Sequence, residues 1–438
     1  MSVDDTWRES WSVRSVLATL FQALNRRGVA YVALRFDETL LQPDTELDLL
    51  VKPAALTALL REIRELCGRF PGLRVAYWRE LPRHAATIIL AWRERDGSYR
   101  HYFFDIRCGI RKRGIVIFDG AALEPRLTIR EPSVGARCLR EDVERALLLI
   151  RNALDRRAHN RRHMTILERG SPAATVAAMR RLGFRAGRSD LASLWGALVP
   201  AAVPRVVWAT TRYGARALIG RTRPRALGMN VILYGPDGVG KSTQAALLGE
   251  FFRSAGVRRV GVYHSFVEAG IVHEHGAGRV QKAKRSVYRG ASQSRALTAI
   301  VLASYVKKVM QIVFVFRRRA RRGHVAVHDR YLLDVFQKAW KSVGARFPGL
   351  ERVLPMITPQ EQFVFVLDAD PDTVSARTSE LDPDQVKQSY HALFEALEAS
   401  RTSSKATHID ANQAIQSVHR DLVAAVLEIQ TRRCLMMG

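Results

Sequence analysis

The stretch VILYGPDGVGKSTQAALL, Val231–Leu248, decides the reading of this chain. Val231 to Tyr234 are apolar and predict a buried strand; a glycine-rich turn comes next, and a helix is expected from near Lys241. The turn fits GxxxxGK(S/T) at Gly235, Gly240, Lys241 and Ser242. Glycines at 235, 238 and 240 let the backbone turn successive N–H groups inward, including those of Asp237 and Val239, as a phosphate requires. The helix after the turn adds its positive N-terminal end. In such a loop Lys241 reaches the terminal phosphates, and Ser242 offers a hydroxyl to magnesium.

Outward from that loop, the composition sets bounds. The chain has 438 residues, enough for two or three domains, with 47% hydrophobic and 25% charged residues, as in globular proteins. Its formal net charge is +27, carried mostly by arginines spread along the whole length. That balance suits phosphate-rich small molecules, an anionic polymer such as nucleic acid, or an anionic membrane surface; a generally arginine-rich proteome would also produce it. Cys67, Cys108, Cys138 and Cys434 are far apart and form no CxxC pair, so neither a zinc site nor a disulfide framework is expected, and a reducing cytoplasmic compartment fits. The start, MSVDDTWRES, does not read as a signal peptide. Of two apolar stretches, Leu191–Thr210 is broken by Pro200 and Pro204, and Leu297–Phe316 carries Lys307 and Lys308 at its centre. Neither reads as a transmembrane span, although the first leaves peripheral contact with an anionic membrane open.

Residues 1–160 read as an α+β domain. The spacing predicts a helix over 11–28, strands at Tyr31–Arg35 and Glu46–Val51, and a helix opened by Pro53. Further strands are expected near Leu73–Trp78, Thr87–Trp92, Tyr99–Ile106 and Gly114–Phe118, and a helix over 133–158. Glu46 and Asp48 alternate with Leu47 and Leu49 and so share one strand face, while Asp105 lies in another strand. Such a trio could hold magnesium ions over a nucleotide triphosphate. It resembles the nucleotidyltransferase fold over about residues 28–110. Where that family has a glycine-serine turn this chain has Arg35 and Phe36, and the first acid is Glu46 in place of the usual Asp. Two readings stay open: an active transferase, or a degenerate domain kept for binding or scaffolding. Residues 161–228 read as a basic helical connector with helical runs at Ala173–Leu182 and Leu191–Leu198, ending in RTRPRALG, Arg221–Gly228.

Residues 229–438 alternate strands and helices, which predicts an α/β domain with a parallel sheet covered on both faces. Strands are expected at Arg259–His264, His324–His328, Phe363–Leu367 and Thr407–Ile409, and a final helix from Gln413 to Thr431. The loop, then HDRY ending at Tyr331, FVFVLDADPD from Phe363, and HIDA from His408 together resemble thymidylate kinase and its relatives. The resemblance implies ATP- and Mg2+-dependent transfer of the γ-phosphoryl group, and a homodimer that no residue specifies. By position it gives Lys241 the charge on the transferring group, Ser242 and Asp329 the magnesium, and Thr243 the donor's α-phosphate. Asp237 falls near the acceptor, Arg330 grips the acceptor or the transferring phosphate, and Arg377 stacks on the adenine.

Three places depart from that pattern. The acceptor-shaping Arg-Glu-Pro-Gly segment is replaced by HSFVEAG from His264; the lid stretch TSELDPDQ has no arginine; and Gly238 stands where the loop could carry one. Positive charge at the transition state then falls to Arg330 and the arginines of 317–322. The acceptor is a nucleoside monophosphate or a sugar or glycan hydroxyl. Two other readings stand beside this one. One is nucleic-acid end processing by a kinase joined to a nucleotidyltransferase-like domain; the other is a regulatory protein that binds ATP without turnover.

Overall fold

A computed structural model describes residues 11–81, 85–112, 115–119, 128–155, 171–181, 225–226, 228–264, 267–268, 319–320, 322–329, 363–377, 382–399 and 406–436. The chain divides into two compact units: Thr6–Arg74 with Arg79–Arg225, and Ala226–Met437 with Val75–Trp78.

The first unit opens with α1, Val13–Arg26, capped by a Ser12–Ser15 box in which each side chain takes the other's backbone N–H. Its buried stripe is Val13, Val16, Leu17, Leu20, Phe21 and Leu24, the helical spacing of one apolar face. Gly28, at φ 64°, turns the chain out of the helix. The strands are β1 Tyr31–Leu34, β2 Thr45–Val51, β3 Arg74–Leu81, β4 Ala85–Arg93, β5 Tyr99–Arg107, β6 Gly109–Lys112, β7 Ile115–Asp119, β8 Thr128–Arg130 and β9 Arg137–Leu139. Val75–Trp78 of β3 groups with the second unit; within the first unit the order is β4-β5-β2-β1-β9-β8, with β6 and β7 forming a separate antiparallel pair. The helix α2, Leu56–Arg69, begins one short 3-10 turn later than Pro53. Parallel pairing of β2 with β5 sets Asp48 opposite Asp105.

The helix expected over 133–158 begins only at Glu141. Residues 137–139 form β9, with Cys138 paired to Ala33 of β1, and α3 runs Glu141–Asp155. Leu139 therefore belongs to the sheet. The helix starts where Glu141, Asp142 and Glu144 place negative charge against its N-terminal dipole. α4, Pro172–Arg181, comes next, and β10, Arg225–Ala226, is a two-residue strand where the chain passes from one unit to the other. The stretch Leu191–Thr210 lies outside the described residues, as does Leu297–Phe316; among the described residues no helix is long and apolar enough to cross a membrane.

The second unit is a mixed α/β arrangement whose sheet is parallel except at one edge. β11, Met229–Tyr234, lies at its centre, between β14, Val325–His328, and β15, Phe363–Asp368. β12, Val260–His264, flanks β14, and β16, Ala406–Asp410, flanks β15; only the short β13, Val267–Glu268, runs antiparallel. Strands β11, β14 and β15 are buried along nearly all their length, which explains their unbroken apolar runs. α5, Lys241–Ser254, packs on β12, β14 and β11, and α8, Ile415–Leu435, packs on α5, β15 and β16. α6, Pro371–Arg377, and α7, Pro383–Ala399, complete the described helices. Phe252, Phe363 and Phe365 are fully enclosed; truncating such a ring costs about 3–5 kcal/mol.

Candidate active site

Parallel strands bring their C-terminal ends to one edge, and that edge carries the polar residues. β11 ends at Tyr234, directly before the glycine turn. β14 ends at His328, directly before Asp329, and β12 ends at His264. Register ties the last two together: His328 is the partner of Tyr263, and the Asp329 N–H donates to the Tyr263 carbonyl at 3.0 Å.

The turn has the geometry its glycines predict. Gly235, Gly238 and Gly240 stand at φ 148°, 91° and 103°. At Gly235 space is limiting as well: a Cβ would come within 2.8 Å of Val239 Cγ1 and 2.9 Å of the Leu367 carbonyl. Lys241 begins α5 and is 5% exposed. Its ammonium donates to the carbonyls of Gly235 at 2.8 Å and Pro236 at 2.7 Å, and lies 3.3 Å from Asp237 Oδ1. The lysine thus closes the loop on itself with its charge held inside the turn. Ser242 and Thr243 come next, on the exposed side of the first helical turn. Gln244 fastens the helix below, donating from Nε2 to the Ile415 carbonyl at 2.9 Å.

Asp329 is 3% exposed. The Ser242 hydroxyl donates to its Oδ2 at 2.5 Å, and His264 Nδ1 approaches the same oxygen at 2.6 Å. Its Oδ1 is buried and has no hydrogen-bond partner among the described residues. A buried carboxylate oxygen left in that state is costly, and a cation is the partner that would satisfy it. Ser242 and Asp329 therefore fit a divalent ion by their donor chemistry. Two neighbours shape this corner. His328 is fully buried, stacks on Tyr263, and its imidazole pKa is pushed down to about 3 by burial. Arg319, from the basic 317–322 cluster, donates to the Tyr263 hydroxyl at 2.7 Å.

Arg377 ends α6 and donates to the carbonyls of Ala411 at 2.7 Å and Asn412 at 3.3 Å. It ties α6 to the loop between β16 and α8, a structural task added to the stacking role implied by resemblance. Asp410 and Asn412 brace the same loop. Arg330 and the first half of the lid stretch, residues 378–381, lie outside the described residues.

In the first unit, Glu46, Asp48 and Asp105 do converge, with carboxylate oxygens all within 4.8 Å of one another. Two arginines converge with them. Arg35 pairs with Asp48, and Arg107 pairs with Asp105 through Nε at 3.0 Å and through Nη2. Arg35 sits at φ 51°, and its backbone N–H donates to Glu144. The guanidinium thus stands over the acids from the position expected of a glycine-serine turn. In the sequence Arg35 reads only as a departure, and neither Arg107 nor His264 stands out. For Arg107 a signal exists: two residues beyond Asp105 on one strand, it shares the same face. For His264 the clue is its place at a strand end.

No protein-family model matches the chain, and no curated protein matches it. Among solved structures, the thymidylate kinase from Ehrlichia chaffeensis is similar at 17% identity, over 45% of this chain and 98% of that one, with a TM-score of 0.29. A score that low carries no weight; the phosphate loop and the strand ends around it carry the functional reading.

Proposed function

We propose that the unit formed by residues 226–437 binds ATP and transfers its γ-phosphoryl group to an acceptor. The observation that carries this reading is the pairing of the phosphate loop with Asp329: Lys241 and Ser242 on one strand-to-helix turn, and a buried carboxylate bonded to Ser242 from the next strand. Such a loop binds phosphates through backbone N–H groups, and the inward-held Lys241 exchanges its loop carbonyls for the β- and γ-oxygens. In the step itself, the bond from the γ-phosphorus to the bridging oxygen breaks, a bond to the acceptor oxygen forms, and ADP leaves; a phosphate-monoester acceptor attacks as an anion, and a hydroxyl acceptor releases its proton to solvent. A bound divalent ion, held by Ser242 and Asp329, supplies neutralising charge to those oxygens. Thr243, beside it, is assigned to the α-phosphate, and Arg330 to the transferring group or the acceptor. The acceptor reading keeps both classes, a nucleoside monophosphate and a sugar or glycan hydroxyl.

ATP consumption should be measured on the full chain alone and with a panel of nucleotides, sugars and 5′-hydroxyl oligonucleotides. A phosphorylated product is expected from one class, and Lys241→Ala should lower its formation at least about a hundredfold. Unchanged product formation in that variant would place the site elsewhere. Tight ATP binding with no product from any acceptor would favour a regulatory nucleotide-binding protein instead.

A further inference from the structure

The geometry points to His264 as a ligand of the divalent ion that accompanies the nucleotide, making the site selective for a first-row transition ion such as Mn2+ over Mg2+. The inference rests on the phosphoryl-transfer reading and adds a property of the same site.

Three atoms from three elements meet at one point: Ser242 Oγ from α5, Asp329 Oδ2 from the end of β14, and His264 Nδ1 from the end of β12. Serine and histidine lie 2.5 and 2.6 Å from the shared carboxylate oxygen. Adjacent ligands of an octahedral ion with bonds of about 2.1 Å are separated by about 3 Å. The serine–carboxylate and histidine–carboxylate separations therefore each need to lengthen by only a few tenths of an ångström to match neighbouring ligands of such an ion. The opening is available, because His264 is 55% exposed while Asp329 is held at 4% of its side-chain surface. The buried Asp329 Oδ1, which has no hydrogen-bond partner among the described residues, adds an oxygen whose desolvation a cation would offset.

The donor set decides which cation. Serine and carboxylate oxygens alone suit Mg2+, a hard ion that seldom gives up oxygen ligands. An imidazole nitrogen shifts the balance toward first-row ions, whose affinity for nitrogen rises from Mn2+ onward. As a ligand, neutral His264 uses the Nδ1 lone pair and carries its proton on Nε2, the exposed side chain allowing that exchange through water.

The test uses the full chain with adenosine β,γ-methylene triphosphate, which places no nitrogen in its phosphate chain, and Mn2+ as the probe. Pulsed electron paramagnetic resonance of the Mn2+–nucleotide complex should show modulation from a directly bound imidazole nitrogen. His264→Ala should abolish it and weaken Mn2+ binding at least about tenfold, with a smaller change for Mg2+. Retained nucleotide binding in the variant reports an intact fold. Mn2+ and nucleotide bound without nitrogen modulation, or modulation that survives in the variant, would overturn the assignment and leave the kinase reading standing. If neither nucleotide nor Mn2+ bound, both readings would fall together.

Discussion

At the scale of single residues, His328 shows how a strand end sets chemistry through burial. It is enclosed beneath Asp329, and burial alone drives its pKa from 6.5 to about 3, so it stays neutral in the folded protein. The unfolded chain takes up a proton at this position below pH 6.5 and the folded chain does not. Falling pH therefore favours unfolding, by up to about 1.4 kcal/mol per pH unit between the two values. His328→Phe keeps the ring volume and its stacking on Tyr263 while removing the proton site. Chemical denaturation from pH 7 to 4 should show a shallower loss of stability in that variant, and parallel curves would mean that His328 does not titrate as its burial requires. Arg35 makes the complementary point in the first unit. Its guanidinium neutralises Asp48 from a backbone position with positive φ that costs an ordinary residue about 1 kcal/mol, and the ion pair helps to offset that cost.

At the scale of elements, the seating of α5 on β12 is what aligns the phosphate loop with His264. Gly249 is the contact point: a Cβ there would meet Val262 Cγ2 at 2.5 Å. Alanine gains about 1 kcal/mol in helix propensity over glycine, whereas forcing a methyl into a packed seam costs about 1–3 kcal/mol. Val262 is a short, branched side chain that cannot swing away, so the clash prevails. Gly249→Ala should lower the unfolding free energy by about 1 kcal/mol, measured by urea denaturation, and should weaken nucleotide binding because the helix carrying Lys241 must shift. A stabilised variant would show that the helix and strand can separate freely.

At the scale of the whole molecule, the +27 charge predicts binding to polyanions in any reading of its acceptor. Binding to a sulfated polysaccharide should weaken at least tenfold between about 50 and 200 mM salt, as counterion release demands. A flat response, measured by fluorescence anisotropy, would mean that the arginines are held in internal pairs, as Arg35 and Arg107 are.

The parallel sheet and its phosphate loop were legible in the sequence because both depend on neighbours in the chain. Continuous apolar runs give buried strands, and glycines at 235, 238 and 240 permit φ values that few other residues reach. Asp48 and Glu46 could be set on one face by counting in twos. The start of α3 could not be read from periodicity, since the segment before it looks helical until β1 offers it a strand partner at Ala33. Only the tertiary structure brought Arg35 and Arg107 onto the acids, and only it brought His264 and Ser242 to one oxygen of Asp329. The reason is physical: residue types and spacing determine local geometry, while contacts between residues 65 and 87 positions apart arise only once strand order and register have been set.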